Sequence, residues 1–110
     1  MKLEVGMYCY NKTNRKLGIG KIINFQRNNN VNIRYKNDIE LVSIGNVKAN
    51  NEIISLIEIG DYVNGLPVRF VEEDRVDIGQ AEDYFWLKNQ HIKSIVTKEQ
   101  MEAMEYKVVE

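Results

Sequence analysis

Leu3-Glu4-Val5-Gly6-Met7-Tyr8, near the start of the chain, and Ile57-Glu58-Ile59-Gly60-Asp61-Tyr62, past its middle, follow one pattern. Each copy reads apolar, Glu, apolar, Gly, any residue, Tyr. A repeat in a chain of 110 residues indicates two copies of one small structural unit, and overlooking it would misassign the whole fold. We therefore expect two similar β-modules in tandem, a basic one over residues 1–56 and an acidic one over residues 57–110.

The sequence after each copy favours short strands separated by turns. Val31-Asn32-Ile33-Arg34-Tyr35 alternates apolar and polar residues, which is typical of a half-buried strand, and Asn64-Gly65 is a strong hairpin signal. Thr97 and Gln100 form a capping box, which predicts a short helix over about 98–105 before a last strand at 106–109. The order of elements predicts a mostly β fold: two small SH3-like β-barrel modules packed together, with one short C-terminal helix.

The composition is that of an ordinary folded protein, with 44% hydrophobic and 28% charged residues. No apolar run approaches the ~20 residues that a membrane helix needs, so no membrane partner is predicted. The first residues lack the apolar core of a secretory signal. Cys9 is the only cysteine, so the chain forms no internal disulfide. Together these features predict a cytoplasmic protein.

The net charge of −1 conceals a strong asymmetry between the halves. Residues 1–56 hold nine Lys or Arg and four acids, for a net charge of +5, and residues 57–110 hold six and twelve, for a net charge of −6. Such a division points to partners. Either the two halves attract each other, or one of them meets an external charged partner.

The basic half suits a nucleic acid or a signalling nucleotide, because its cations lie near tyrosines and phenylalanines that bases could stack on. The candidate residues are Lys12, Arg15, Lys16, Lys21, Arg27, Arg34 and Lys36. Gly18-Ile19-Gly20-Lys21 lacks the frame of a phosphate-binding loop. Its glycines are expected to shape a strand instead.

The acidic half suits a protein partner. Complementary charge steers association, and Trp and Tyr dominate the binding energy of protein interfaces. The candidate residues are Glu72, Glu73, Asp74, Asp77, Tyr84 and Trp86. Tyr84-Phe85-Trp86-Leu87 forms the core of this half by default and anchors an interface if it is exposed. The acids lack the spacing of a calcium loop, so no metal is predicted.

Catalytic chemistry finds little support in the sequence. His91 is the only histidine, and no second histidine or cysteine stands at the close spacing of a zinc site. A Cys9–His91 nucleophile pair is the one catalytic alternative, and a structural cysteine is the favoured interpretation. We expect no enzyme activity and no cofactor.

Two segments resemble a known group of proteins. They are Ile53-Ile54-Ser55-Leu56-Ile57-Glu58-Ile59-Gly60-Asp61-Tyr62-Val63-Asn64-Gly65 and residues 92–108, which run from Ile92-Lys93-Ser94-Ile95-Val96 to Glu105-Tyr106-Lys107-Val108. Both are similar to small uncharacterised phage and prophage proteins of low-GC Gram-positive bacteria, clostridia especially. The resemblance implies a mobile-element protein in a bacterial host and supplies no catalytic or ligand-binding residues.

The resemblance and the residue patterns together predict a non-enzymatic interaction protein that binds and inhibits or redirects a host factor. An anti-defence, anti-CRISPR-like role is the specific form of this expectation. The alternative is a nucleic-acid or nucleotide-binding module that uses the basic N-terminal face. A homodimer is also expected to be possible, through an uncovered β-edge.

Overall fold

The computed structural model describes residues 2–80 and 82–104, and over this part of the chain the fold is mostly β. Eleven strands within these ranges form three antiparallel sheets, and one short helix follows them. The strands of the first half are β1 (Tyr8–Asn11), β2 (Gly20–Gln26), β3 (Asn30–Arg34), β4 (Ile39–Ser43) and β5 (Val47–Asn50). The predicted fold class is therefore confirmed at the level of a mostly β protein with one short C-terminal helix.

The first half is a single five-stranded sheet in the order β4-β3-β2-β1-β5. Alternation along the strands sends Cys9, Ile22 and Ile33 to the inner face, where they are almost completely buried with Val31 and Val42. A 3₁₀ turn, Ile44–Asn46, leads from β4 to β5. Strand β5 then pairs antiparallel with β1.

The second half contains two three-stranded sheets, ordered β10-β9-β8 and β11-β6-β7. Their strands are β6 (Tyr62–Val63), β7 (Leu66–Pro67), β8 (Phe70–Val71), β9 (Arg75–Asp77), β10 (Trp86–Lys88) and β11 (Ile95–Val96). Only two residues separate β7 from β8. Taken as one interrupted strand, they give the order β10-β9-β8/β7-β6-β11, which repeats the order of the first half. A 3₁₀ turn, Asn89–His91, again precedes the last strand.

The repeated glycines occupy equivalent places in the two halves. Gly6 and Gly60 have φ angles of +94° and +96°, a backbone region that glycine enters without the steric cost of a Cβ atom. The Gly6 N–H donates to Ile22 O, and Ile22 N–H donates to Met7 O. In the second half Gly60 N–H donates to Val68 O, and Val68 N–H donates to Asp61 O. The sequence repeat therefore encodes the same pair of backbone hydrogen bonds in each half.

Local predictions are confirmed where the structure describes the residues. Val63 pairs with Leu66 across the Asn64-Gly65 turn. Helix α1 covers Lys98–Met104, and its capping box is formed, since Thr97 N–H donates to Gln100 Oε1 at 2.8 Å and Gln100 N–H donates to Thr97 Oγ1 at 3.1 Å. The strand predicted at 106–109 lies outside the described residues.

The predicted closed barrels are not confirmed. Strands β4 and β5 are both edges of the first sheet, and the second half is divided between two sheets, so the described residues contain no closed barrel. Each half nevertheless has its own hydrophobic cluster. Ile54, which precedes the predicted boundary at 56/57, packs in the cluster of the second half. No helix in the described ranges is both long and apolar enough to cross a membrane.

The two halves meet at a buried arginine. The Arg15 guanidinium donates to both carboxylate oxygens of Asp61, at 3.1 and 2.8 Å, and to Glu99 Oε2 at 2.9 Å. Glu58 Oε2 lies 3.6 Å from Arg15 Nε. Thr97 Oγ1 donates to the Arg15 carbonyl at 2.8 Å. Every ion pair between the two halves, within residues 2–80 and 82–104, therefore involves this one side chain.

This arrangement removes Arg15 from the predicted nucleic-acid-binding residues. Its side chain is only 8% exposed, and Asp61 is fully buried, so neither group can reach an external ligand. Desolvation alone would lower the pKa of Arg15, but the hydrogen bonds and charge of Asp61 raise it above its usual value. Part of the charge asymmetry thus attracts the two halves to each other, which was one of the two explanations that the sequence left open.

Candidate functional site

The outer face of the sheet β10-β9-β8 carries the most exposed aromatic cluster in the described residues. Phe70, Asp77 and Trp86 stand directly opposite one another across the three strands. Opposite residues of an antiparallel sheet share one face. Val71, Val76 and Leu87 form the neighbouring row, and Val76 and Leu87 are buried in the core below. The Phe70–Asp77–Trp86 row therefore faces away from the core.

Asp77 is completely buried although it belongs to this outer row, because the loop between β9 and β10, described at residues 79–80 and 82–85, folds over it. Its Oδ1 accepts from Gly79 N–H at 2.8 Å and from Phe85 N–H at 2.7 Å. Its Oδ2 accepts from Arg69 Nε at 3.0 Å. Arg69 Nη2 also donates to the carbonyl of Asp83 at 2.8 Å. One carboxylate thus ties both ends of the loop to the sheet.

The electrostatics of Asp77 fit this anchoring role. Desolvation alone would raise the pKa of Asp77, but the Phe85 and Gly79 N–H groups and the Arg69 guanidinium together lower it below its usual value. The carboxylate is therefore ionised at neutral pH and fully partnered. The sequence analysis named Asp77 as a protein-interface residue, but its side chain is fully buried beneath the loop that it anchors and cannot contact a partner directly.

The anchored loop presents aromatic rings to solvent. The rings of Tyr84 and Trp86 stack with centroids 5.9 Å apart and planes within 5° of parallel. Phe70 lies 6.0 Å from Tyr84 on its other side. With Ile59 and Val71 these rings line an open cleft of about 410 Å³. We call this feature, lined by Ile59, Phe70, Val71, Glu72, Tyr84 and Trp86, the aromatic cleft.

Exposure within this cluster contradicts the default expectation that Tyr84-Phe85-Trp86-Leu87 is core. Tyr84 is 62% exposed and Phe85 is 59% exposed, Trp86 is partly buried, and only Leu87 is buried. Monomeric proteins rarely leave neighbouring large aromatic side chains in water unless the patch has a use. The alternative that the sequence left open, an exposed aromatic anchor, matches this geometry.

Two arginine side chains make cation–π contacts with the rings. The Arg75 guanidinium lies 4.1 Å from the Trp86 ring centroid, and Arg69 lies 5.8 Å from Phe70 and 5.6 Å from Tyr84. Glu72 Oε1 accepts from Arg75 Nε at 2.6 Å. The hydrogen bond from Glu72 raises the pKa of Arg75. Cation–π attraction within about 6 Å favours this arrangement of the rings.

Acidic residues directly flank the lining residues of the aromatic cleft along the chain, and we call them its acidic rim. Glu72 is neutralised by Arg75, and Asp77 by Arg69. Four further carboxylates are exposed on the β8–β9 turn and on the loop between β9 and β10, and the described residues provide no ion pair for any of them. They are Glu73, Asp74, Glu82 and Asp83.

Sequence reasoning missed several lining residues, namely Ile59, Phe70 and Val71, and both arginines that contact the rings. One signal was available. Phe70 and Val71 are consecutive apolar residues in a strand, and consecutive residues point to opposite faces. One of the two must therefore face away from the core, which marks the outer face as partly apolar.

The remaining predicted nucleic-acid-binding residues are exposed but scattered. Lys12 and Lys16 flank the Arg15 turn, and Arg27 stands at the β2–β3 turn. Lys21 and Arg34 are direct neighbours across β2 and β3. Lys36 follows Arg34, and both line a cavity that also contains Lys21. The structure therefore brings together three of the seven predicted cations.

The Cys9–His91 alternative conflicts with the structure. Cys9 is fully buried in the first core, and burial raises the pKa of its thiol to about 12. A nucleophilic cysteine requires a lowered pKa and access to substrate. His91 is exposed, and its Nδ1 accepts from Lys88 N–H at 3.2 Å. No group of three potential metal ligands occurs within the described ranges.

Comparisons of this chain with family models, with curated proteins and with solved structures give no match.

Proposed function

We propose that this chain is a non-enzymatic interaction protein that docks on a partner protein through the aromatic cleft. One observation carries the proposal: the exposed rings of Phe70 and Tyr84 form a surface cluster with Trp86, beside Arg69 and Arg75, instead of packing in the core. Exposed aromatic side chains that already pack against one another lose little conformational entropy on binding. Their burial by a partner is correspondingly favourable.

The cleft and its acidic rim determine what kind of surface the partner must present. Its contact surface presents an apolar projection that enters the aromatic cleft, surrounded by Lys or Arg side chains that face the acidic rim of Glu73, Asp74, Glu82 and Asp83. Complementary charge of this kind raises the association rate and selects the orientation. The apolar centre supplies most of the binding energy, because hot spots cluster where water is excluded.

The biological setting of the proposal comes from the resemblance to phage and prophage proteins. In that setting the partner is a host bacterial protein in the cytoplasm, and the specific form of the proposal is inhibition of a host defence component. The finer fold proposal is that each half is an SH3-like module. It is supported by the strand order common to both halves and by the 3₁₀ turn before each last strand.

The test begins with affinity capture from the bacterial host and continues with the purified partner. Tyr84→Ala and Phe70→Ala are each expected to weaken binding by about 30-fold or more, the loss that corresponds to a hot spot of about 2 kcal/mol. The matched control is Phe25→Ala, an exposed aromatic residue of the first half. Isothermal titration calorimetry measures the affinities, and circular dichroism verifies that each variant folds.

A second variant tests the charged rim. Glu73→Lys with Asp74→Lys brings the net charge of the rim from −4 to zero, so it is expected to lower the association rate and to remove most of its salt dependence. Glu72 is left unchanged because it holds Arg75. Binding of the Tyr84, Phe70 and rim variants at the wild-type affinity, or an equal loss in Phe25→Ala, would exclude the aromatic cleft as the docking site.

A further inference from the structure

A row of cationic and aromatic side chains crosses the outer face of the first sheet, away from the aromatic cleft. Tyr8 of β1 stands directly opposite Lys21 of β2, and Lys21 stands directly opposite Arg34 of β3. Side chains in such a row share one face, with neighbouring Cβ atoms about 4.5–5.5 Å apart. The Lys21 ammonium lies 4.8 Å from the centroid of the Tyr8 ring. An aromatic platform and two cations are therefore contiguous.

This row lies in a groove that spans both halves of the chain. Two adjoining cavities, of about 540 and 440 Å³, share Tyr8, Ile19, Lys21 and Ile53. The first continues over Arg34 and Lys36 of the first half. The second continues over Lys93, Ser94 and Ile95 of the second half. We call this feature the junction groove.

The charge of the junction groove has one sign. Its lining contains the cations Lys21, Arg34, Lys36 and Lys93, and none of its described lining residues is acidic. Within residues 2–80 and 82–104 none of the four forms an ion pair with a carboxylate. By contrast, Arg15, Arg69 and Arg75 each bind a carboxylate of this chain. The groove thus concentrates uncompensated positive charge beside an apolar floor of isoleucines.

We propose that the junction groove binds single-stranded nucleic acid. Phosphates would contact the four cations, and a base would lie on Tyr8 and the neighbouring isoleucine side chains. A basic groove with an aromatic platform is the combination that single strands require, since each nucleotide brings one anion and one flat apolar ring. This site is separate from the aromatic cleft, and its existence does not depend on the protein-docking proposal.

The junction groove contains a different set of residues from the basic N-terminal face that the sequence predicted. It adds Tyr8, Ile53 and Lys93 to the cations of the first half, and it excludes Lys12, Arg15, Lys16 and Arg27. Lys93 belongs to the acidic half, so the complete groove exists only when both halves are packed together.

The test measures binding of a fluorescein-labelled twelve-nucleotide oligothymidylate by fluorescence anisotropy as a function of salt. With four phosphate contacts, the slope of log affinity against log salt is expected to be about −2.8, which corresponds to an affinity about 50-fold weaker at 200 mM than at 50 mM salt. Duplex DNA and polyglutamate of matched charge are the competitors. Both are expected to compete at least about tenfold less well than the oligothymidylate, because neither offers unstacked bases to Tyr8.

Variants separate the contributions of charge and stacking. Lys21→Ala with Arg34→Ala is expected to halve the slope to about −1.4. Tyr8→Leu is expected to weaken binding about fivefold or more with an unchanged slope, and Tyr8→Phe to retain the wild-type affinity, because stacking requires only the ring. The matched control is Lys16→Ala with Arg27→Ala, which removes two exposed cations outside the groove and leaves the slope unchanged.

Three results would overturn the proposal. They are no binding of the oligonucleotide at 50 mM salt, an equal loss in the control pair, and competition by polyglutamate as effective as by the oligonucleotide. If Tyr8→Leu fails to fold, the variant Lys36→Ala with Lys93→Ala tests the groove instead. Both side chains are exposed and neither makes an ion pair in the described residues, so the fold is expected to be retained. Wild-type affinity in that variant would equally reject the groove.

Discussion

The buried contact between Arg15 and Asp61 is expected to dominate the stability of the junction between the halves, and Asp61→Asn tests it. The Asp61 carboxylate is fully buried and accepts four hydrogen bonds at 2.8–3.1 Å: two from Arg15, one from Glu58 N–H and one from Lys98 N–H. Asparagine keeps the shape of the side chain but turns one acceptor into a donor that faces the guanidinium. The Arg15 charge is then buried without its closest counterion.

The size of the effect follows from this geometry. Removing one partner of a buried ion pair costs about 3–5 kcal/mol, because the remaining charge stays desolvated. Glu99 and Glu58 also contact Arg15 but are partly exposed, which favours the lower end of that range. At a slope of about 1.5–2 kcal/mol per M of urea, the midpoint of unfolding is expected to fall by roughly 1.5–3 M.

The assay is urea denaturation followed by circular dichroism for the whole chain and by Trp86 fluorescence for the second half. The matched control is Glu72→Gln, which breaks an exposed ion pair with Arg75 and is expected to cost less than about 1 kcal/mol. Arg15→Met with Asp61→Asn is expected to cost less than the two single changes together, because the charges that then lose their ion pair, Glu58 and Glu99, are partly exposed to water. A loss below about 1 kcal/mol in Asp61→Asn would show that the buried Arg15–Asp61 pair does not dominate the stability of the junction.

Three further predictions concern single residues. Asp77 has a lowered pKa in the folded state, so its carboxylate stabilises the fold above about pH 3.8. This contribution is lost as the pH falls through the lower pKa of the folded state. The free energy of unfolding is therefore expected to drop more steeply below pH 4 in the wild type than in Asp77→Asn, which acid titrations at a fixed urea concentration measure. The Cys9 thiol, with its pKa raised to about 12, is expected to resist Ellman's reagent at pH 8 until urea unfolds the chain; rapid reaction of the native protein would contradict its burial. Thr97→Ala removes a helix cap and the hydrogen bond to the Arg15 carbonyl, so it is expected to cost about 1–2 kcal/mol in urea denaturation, whereas Thr97→Ser retains the hydroxyl and most of the stability.

Local chemistry made several elements predictable. The capping box at Thr97 and the Asn64-Gly65 turn depend on residues within three positions of each other, so no distant contact is needed to identify them. The repeat predicted related halves, and the structure contains the same pair of backbone hydrogen bonds at Gly6 and Gly60. The aromatic segment at 84–86 and the acidic turn at 72–74 were both identified, and they meet at the aromatic cleft.

The burial of two predicted surface charges has a common explanation. Arg15 and Asp77 were assigned to opposite surfaces as exposed charges, and both are buried against partners that lie elsewhere in the chain. Arg15 is covered by residues around Asp61, which lies 46 positions away, whereas Asp77 is covered by the loop that directly follows its own strand, and neither cover has a recognised sequence pattern. Strand periodicity locates a side chain on a face, but it does not say what covers that face.

Residue type and short-range spacing were enough to identify the repeated segment, the capping box, the Asn64-Gly65 turn and the division into a basic and an acidic half. The order of the strands within each sheet depends on long-range pairing and came from the structure. Tertiary structure alone decided which charges neutralise each other and which remain free. Arg15 is buried among the carboxylates of the second half, whereas Lys21, Arg34, Lys36 and Lys93 line one groove without a carboxylate beside them. The physical reason is that burial and pairing energies depend on distance in space, which residues far apart in the chain acquire only when the halves pack together.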